Sequence, residues 1–236
     1  DTLKLAQPAT AYQLAAVLFS TQPGTTPGVR AVSATTFGSQ PEPGDTSAWG
    51  INLAVPALSQ EMPAYHGLGF GGGGEAWCSP VATSMIMDYW AGVLGRPDLR
   101  QAVPDVAAGT YDYAYHGTGN WPFNVAYAAS FGLSGSVGHF ASFSGIEPWI
   151  KAGVPVAISI AYEPGQLAGS SFVRTSGHLV VVRGFSASGD VITNDPGFLG
   201  DGITTTYDRG QLQRAWQRTS GGAAYLIYPH GWAAPA

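Results

Sequence analysis

Residues 73–80 read Gly-Gly-Glu-Ala-Trp-Cys-Ser-Pro, and this stretch decides the fold because it predicts a helix that opens beside the only cysteine, Cys78. Ser79 suits the N-cap position and Pro80 the first helical position, and the helix is predicted to continue to about Trp90. A helix N-terminus stabilises negative charge, and a cysteine attacks as its thiolate. The stretch therefore indicates a nucleophile. The alternative is that Cys78 is a small buried apolar side chain.

Two further polar residues lie at the open end of a predicted hairpin. His178 begins a continuous apolar run typical of a buried strand, and a buried imidazole needs partners for its ring nitrogens. The chain turns near Ser188 and returns along a second predicted strand to Asp195, which can supply such a partner. A register shift of one residue would turn either side chain to the other face. A hydrogen-bonded core histidine and a turn aspartate in Asp-Pro-Gly therefore stay open as alternatives.

Together, Cys78, His178 and Asp195 supply a nucleophile, a base and a carboxylate that orients the base. Each residue alone has an ordinary structural explanation, so the hypothesis rests on the combination. The sequence therefore predicts a Cys-His-Asp catalytic triad.

Three motifs resemble the bacteriocin-leader-peptidase-like family, a branch of the papain-like cysteine peptidases. They are Trp-Cys-Ser-Pro at 77–80, Gly-His-Leu-Val-Val-Val at 177–182 and Asn-Asp-Pro at 194–196, and the resemblance covers about residues 49–228. It implies an α+β papain-like fold, in which a helix carrying the nucleophile packs on an antiparallel sheet. It also implies a cysteine peptidase that hydrolyses peptide or amide bonds through an acyl-enzyme.

Two longer matches point to a narrower group. Residues 73–80 and 117–124 resemble motifs of actinobacterial secreted proteins. This resemblance implies a secreted protein, either extracellular or associated with the cell wall.

The sequence departs from the family in the residue that stabilises the oxyanion. Leader peptidases carry a glutamine a few residues before the cysteine, whereas this chain has glycines followed by Glu75. We assign the role to Gln60, the nearest glutamine upstream, together with the backbone N–H of Cys78 at the predicted helix start. The alternative for Gln60 is an exposed loop residue.

Aromatic residues interleaved with glycines and polar groups at 111–121 suit the wall of a binding cleft. A packed aromatic loop is the alternative, and for Glu75 the alternative is a solvated loop charge. The residues that we assign to substrate binding are Glu75, Trp77, Tyr113, Asn120 and Trp121.

The chain is predicted to divide at about residue 45. Residues 1–45 form a β-strand segment in this interpretation, because 12–20 and 29–37 are apolar and β-prone. They represent either the tail of a β-sandwich or strands added to the main domain. A Pro/Gly/Ser-rich linker at 38–46 leads into a papain-like domain over residues 46–236.

Local patterns in the second domain predict its elements. After the helix at Cys78, further helices are expected at 121–132, 144–153 and 208–217. The second of these is predicted to start with a capping box, because Ser144 and Glu147 have the required spacing. Strands are expected at 52–58, 154–161, 178–185, 191–194 and 223–228.

Composition excludes several classes of function. The net charge of −5 argues against a nucleic-acid partner, because phosphate contacts need a basic face. A single cysteine permits neither an internal disulfide nor a zinc site built on several thiolates. No apolar run reaches the roughly 20 residues of a membrane helix. We expect a peptide or cell-wall substrate, with no cofactor, metal or membrane insertion, and the oligomeric state stays open.

Two other functions compete with the peptidase hypothesis. A cell-wall amidase or an acyl transferase uses the same triad chemistry. A non-catalytic protein that binds the cell wall or a carbohydrate would retain the triad only as a relic.

Overall fold

In the computed structural model, which describes residues 7, 9–26, 28 and 46–235, six strands pair into one antiparallel sheet. The strands are β1 (Leu133–His139), β2 (Val156–Tyr162), β3 (Thr175–Phe185), β4 (Val191–Asn194), β5 (Thr204–Tyr207) and β6 (Ala223–Pro229). Their order across the sheet is β1-β6-β2-β3-β4-β5. Every residue of the apolar strand β2 is buried, so both faces of the sheet are covered at its centre.

Helices provide this cover. They are α1 (Cys78–Leu94), α2 (Val103–Thr110), α3 (Trp121–Ser130), α4 (Glu147–Lys151) and α5 (Arg209–Ser220). Helix α1 packs on β3 and β6 and against α2 and α3, whereas α5 packs on β2. The predicted α+β class, with the cysteine-bearing helix on an antiparallel sheet, is confirmed. In the part of the chain described here, no helix is both long and apolar enough to cross a membrane.

A β-bulge sets the register between β3 and β4. Val182 pairs with Thr193 and Gly184 pairs with Ile192, so Arg183 is an extra residue on β3. A bulge of this kind increases the local twist and shifts the alternation of side chains on one strand only. The two halves of β3 therefore present their side chains to β4 in different registers.

The strand predicted at 52–58 is wrong. Residues 49–53 instead lie along the end of β3, where Gly50 N donates to Phe185 O at 2.9 Å and Leu53 N donates to Arg183 O at 2.8 Å. Asn52 forms only an isolated bridge. The ladder does not continue, because Pro56 has no N–H to donate.

Two predicted helix starts are confirmed by their caps. Asn120 precedes α3 and its side chain accepts from Phe123 N, and Asp208 precedes α5 and accepts from Gln211 N at 2.7 Å. In each case a short polar side chain satisfies an N–H group that the first helical turn leaves free.

The predicted cap of α1 is wrong. The helix begins at Cys78 with Trp77 at the N-cap position, and no side chain caps it. Ser79 is buried, and its hydroxyl forms a 2.7 Å hydrogen bond with the hydroxyl of Tyr225 on β6. A tertiary partner therefore takes the hydroxyl that sequence pattern assigned to the helix end.

The capping box predicted for Ser144 and Glu147 is also wrong. Helix α4 begins at Glu147, after a 3-10 turn over Phe143–Gly145. The Glu147 carboxylate is buried and accepts from Trp49 Nε1 and from Arg209, each at 2.8 Å. This buried cluster ties residue 49 to α4 and α5.

Residues 12–20 do not form the predicted strand. No strand partner pairs with them among the described residues, and their large apolar side chains are exposed, with Val17 at 70% and Phe19 at 84%. An isolated strand has no ladder to satisfy its backbone. The predicted strand at 29–37 lies outside the described residues, as does the linker apart from residue 46. The division at residue 45 stays a prediction.

Candidate active site

Cys78 lies half-buried at the first position of α1. The hydrogen bond between Ser79 and Tyr225 fixes this end of the helix to β6. Because the first turn of a helix leaves its N–H groups without intrahelical partners, and no side chain caps this one, they remain available near the sulfur. This placement suits a thiolate and any anion that forms beside it.

The structure brings His178 and Asp195 together. Pairing of Val181 with Asn194 places Asp195 just beyond β4, at the end of the hairpin where His178 begins its buried run. Nε2 of His178 lies 2.7 Å from Oδ1 of Asp195, and both side chains are almost completely buried. The contact that sequence register left open is therefore present.

Asp195 is held by a full set of donors. Oδ1 accepts from Gly197 N at 2.9 Å, Oδ2 accepts from the Tyr207 hydroxyl at 2.6 Å, and the Ser171 hydroxyl lies 3.1 Å from both oxygens. Burial acts to raise the pKa of Asp195, but the charge of His178 and these hydrogen bonds outweigh it and lower the pKa. The carboxylate is therefore held in its ionised form.

The imidazole of His178 gains a proton affinity far above the ordinary one. Burial acts to lower its pKa, but the Asp195 carboxylate and hydrogen bonds to Asp195 and Cys78 raise the pKa to about 10. Since Nε2 faces Asp195, the other ring nitrogen, Nδ1, is the one left for Cys78. Phe172 covers the ring edge-on, with centroids 5.1 Å apart.

Sequence reasoning missed the residues around Asp195. Tyr207 ends β5, a strand that the pattern analysis did not find, and Ser171 and Phe172 come from the segment between β2 and β3. The one available signal was glycine in Asp-Pro-Gly. A Cβ on Gly197 would lie 2.5 Å from the Ser171 hydroxyl and 2.8 Å from the Phe172 ring, so this cover requires a glycine.

Gln60 is buried rather than exposed, and it lies beside the same site. Its Nε2 donates to Glu75 O at 3.3 Å, and its backbone N donates to Pro196 O at 2.9 Å. The side-chain Oε1 is buried without a hydrogen-bond partner among the described residues. A Cβ on Gly74 would collide with Gln60 O, so the glycine run lets this residue approach the segment before Cys78.

A cavity of about 930 Å³ opens over Cys78 and His178. The cysteine wall is made by residues from the segments 60–78 and 112–121, and the histidine wall is made by residues 172 and 174–179. Of the residues assigned to substrate binding, Glu75, Asn120 and Trp121 line the cavity, as do Gln60, Cys78 and His178. Their roles toward a substrate remain predictions.

Trp77 and Tyr113 do not line the cavity. Trp77 is fully buried, and its Nε1 donates to Phe70 O at 3.1 Å, so its large ring serves as a core contact under the loop. Tyr113 is 78% exposed and packs against Tyr111 at the outer side of its turn. Neither residue is among those that line the cavity, and their assignment to substrate binding stays a prediction.

The aromatic loop at 111–121 forms a turn that is held by hydrogen bonds. Asp112 accepts from two backbone N–H groups within the turn, at 2.8 and 3.1 Å, and from Asn120 Nδ2 at 2.6 Å. Thr118 Oγ1 donates to Ala76 O at 3.2 Å and joins the loop to the segment before Cys78. Over the described ranges, no group of three or more His, Cys, Asp or Glu side chains is arranged to hold a metal.

Comparison with known proteins gives one family match and a set of similar folds. The Peptidase_C39 like family matches residues 52–224. A C39-like peptidase structure from Bacillus anthracis is 16% identical with a TM-score of 0.50, over 75% of this chain and 96% of that chain. This likeness confirms the fold alone. Comparison with curated proteins gives no match.

Two further solved structures show weaker similarity. One is a double glycine motif protease from an AMS/PCAT transporter in complex with the leader peptide, with 15% identity and a TM-score of 0.46 over 76% of this chain and 95% of that chain. The other is xylellain, a cysteine protease from Xylella fastidiosa, with 10% identity and a TM-score of 0.42 over 82% of this chain and 96% of that chain.

Proposed function

The chain belongs to the Peptidase_C39 like family and is a cysteine peptidase, and from this premise we propose that Cys78, His178 and Asp195 form the catalytic triad that hydrolyses a peptide bond. The observation that carries the proposal is the buried 2.7 Å contact between His178 and Asp195, with the other side of the imidazole toward Cys78. A base that is oriented by a carboxylate and faces a nucleophile is the arrangement that acyl transfer requires.

The reaction proceeds in two halves. The protonated imidazole of His178 stabilises the thiolate of Cys78, which attacks the carbonyl carbon of the scissile peptide bond. His178 then gives its proton to the nitrogen of the leaving amine as the C–N bond breaks and a thioester forms. Water gives a proton to His178 and attacks the thioester carbon, and the C–S bond then breaks. The carboxylic acid leaves, and the Cys78 thiolate and the His178 imidazolium are restored.

Asp195 acts on His178 rather than on the substrate. Its hydrogen bonds with Tyr207, Ser171 and Gly197 N keep the carboxylate charged and fixed in direction. A fixed carboxylate holds Nε2 and so turns Nδ1 of His178 toward the sulfur. The geometry also stabilises the imidazolium before the proton is transferred.

Gln60 and the backbone N–H of Cys78 supply the oxyanion donors in this proposal. One hydrogen of the Gln60 amide bonds to Glu75 O and leaves the second for an oxygen in the cavity. The N–H of Cys78 lies at an uncapped helix start. Two such donors stabilise the tetrahedral intermediate more than the planar ground state.

Cleavage of a randomised peptide library tests the reaction. We expect the wild-type chain to cleave peptides at neutral pH, and Cys78→Ala to lose at least about a thousandfold in rate while its circular dichroism and melting temperature stay close to wild type. Iodoacetamide should label Cys78 faster than a free cysteine, and His178→Ala should remove this advantage. Product masses identify the bond that is cleaved.

Two outcomes would contradict the proposal. Full activity in Cys78→Ala would rule out the nucleophile. Labelling of Cys78 no faster than a free thiol, with no cleavage, would favour a non-catalytic binding protein. Parallel reactions with peptidoglycan fragments distinguish a peptidase from a cell-wall amidase. Cleavage of these fragments without cleavage of peptides would indicate the amidase.

A further inference from the structure

Few charged side chains line the active-site cavity, and two of them are held by partners within the protein. Asp112 accepts hydrogen bonds from two backbone N–H groups of its own turn and from Asn120. His178 is paired with Asp195. The formal charges that remain for a ligand are Glu75 on the cysteine wall and Arg174 on the histidine wall.

Arg174 presents an unpaired cation to the cavity. It is exposed, and within the described residues its guanidinium has no hydrogen-bond or ion-pair partner. Its backbone lies directly before β3, which pairs Thr175 with Tyr162 on β2, and Arg174 is four positions before the catalytic candidate His178. A guanidinium offers donors in a planar fork that matches a carboxylate.

Glu75 presents an anion from the other chain segment. Its side chain is 52% exposed, and the nearest cationic candidate, His66 Nδ1, lies 3.6 Å away on an equally exposed ring. Glu75 is three residues before Cys78, and its backbone carbonyl is held by the hydrogen bond from Gln60. The backbone of Glu75 is therefore fixed, and among the described residues its carboxylate has no ion-pair partner other than this exposed His66 ring.

We propose that the cavity selects a peptide of mixed charge, with an acidic side chain that pairs with Arg174 and a basic side chain that pairs with Glu75. The inference rests on the proposed function and specifies its substrate class. A peptide between the two walls displaces water, which strengthens both pairs. Because the chain carries a net charge of −5, Arg174 is a local exception that admits an acidic group.

Matched peptides test this inference. They are built on the sequence that the wild-type chain cleaves best in the randomised library, with Glu, Gln or Lys placed in turn at each position near the cleaved bond. We expect Glu to exceed Gln at one position, and Lys to exceed Gln at another, by about threefold to tenfold in kcat/KM. Gln is the neutral isostere, so the comparison isolates charge.

Variants assign each preference to a residue. Arg174→Gln should abolish the preference for Glu, and Arg174→Glu should invert it. Glu75→Gln should likewise abolish the preference for Lys, and Glu75→Lys should invert that preference. Arg214→Gln and Glu163→Gln make the same chemical changes at exposed positions outside this cavity, so both preferences should persist in them.

The outcomes separate this inference from the proposed function. Equal cleavage of the Glu, Gln and Lys peptides at every position would overturn the inference and leave the peptidase intact, as would preferences that survive in Arg174→Gln and Glu75→Gln. Fluorescence anisotropy of labelled peptides on Cys78→Ala measures recognition without cleavage, and the same charge preferences there would support the inference. A wild-type chain that cleaves no peptide would overturn both proposals.

Discussion

The two walls of the cavity are built in opposite ways. The part of the histidine wall around His178 belongs to β3, and strands β4 and β5 bring Asp195 and Tyr207 beneath it, so these three polar groups are buried and bonded to one another. The cysteine wall consists of 3-10 turns and glycines around Gln60 and Glu75, and much of it is exposed. A low-dielectric interior strengthens fixed interactions, whereas irregular backbone adapts to a ligand.

This difference assigns separate tasks to the two walls. Proton transfer requires a base whose direction and charge do not vary, and a strand pair with a buried carboxylate provides both. Recognition requires exposed groups, which turns can carry without disturbing the sheet. Substitutions of the buried groups His178, Asp195 and Tyr207 should therefore change stability and turnover together. Substitutions of exposed groups such as Glu75 and Arg174 should change recognition with little loss of stability.

The largest expected effect follows from Asp195→Asn. The amide turns a donor toward groups that already donate, including Tyr207 and Gly197 N, and it no longer holds His178 in one direction. We expect kcat/KM to fall by about 10³–10⁴. Steady-state kinetics on the best library peptide measures the loss.

The same variant tests the charge coupling through pH. Because the pKa of His178 is raised from 6.5 to about 10 in the folded protein, its contribution to the free energy of unfolding is complete below pH 6.5 and is lost as pH rises through about 10. Asp195→Asn removes the carboxylate charge, so urea unfolding between these pH values should vary less than in the wild type. Parallel pH profiles would contradict a charged pair.

Gln60→Ala tests the cysteine wall. Loss of one oxyanion donor should lower kcat by about 10²–10³ with a small change in KM, because the donor acts mainly in the transition state. Because the Gln60 side chain is buried, the urea midpoint should also fall, so kcat is measured at temperatures where both the variant and the wild type are fully folded. Gln101→Ala is the matched control, since Gln101 Nε2 donates to Asp98 O outside the cavity at 2.8 Å. A loss below about threefold in Gln60→Ala would assign the oxyanion to other donors.

Tyr207→Phe has the smallest expected effect and sharpens the comparison. Burial and the Asp195 carboxylate raise the pKa of Tyr207, so its hydroxyl keeps its proton and donates. Its loss should lower stability by about 1.5–3 kcal/mol and kcat by about tenfold, with KM unchanged.

A control hydroxyl separates a positioning role for Tyr207 from general stabilisation. Tyr89 donates to Gly153 O at 2.9 Å away from the cavity, and Tyr89→Phe should cost about 1 kcal/mol without lowering kcat. Equal kcat values in Tyr207→Phe and the wild type would mean that Tyr207 only stabilises the fold.

Those parts of the site that depend on short stretches of sequence could be predicted from the sequence alone. A helix start with glycines before it marked Cys78, and an apolar strand marked His178. The sequence could not predict the partners of Asp195, because Ser171 and Tyr207 reach that carboxylate only through tertiary packing. Strand β1 was also missed, since Gly135 and Gly138 dilute its apolar pattern, and the Thr-rich β5 lacks an apolar run.

Two errors of the sequence analysis share one cause. Ser79 and Glu147 both fit local capping rules, yet Tyr225 and Arg209 bind them across the fold. A tertiary partner for a buried polar group outweighs a solvent-exposed cap, because an unpaired polar group costs more in the interior than at a helix end. Ser79 and Glu147 are both buried, so local capping rules fail for them.

The bulge at Arg183 has a consequence for the gene. Deletion of codon 183 would preserve the reading frame and every side chain of the candidate triad. It would also keep Val181 opposite Asn194, because Val182 and Gly184 already pair with adjacent residues of β4, Thr193 and Ile192. In-frame loss of one amino acid at this point would thus remove the local twist that the bulge adds and leave the base beside its carboxylate.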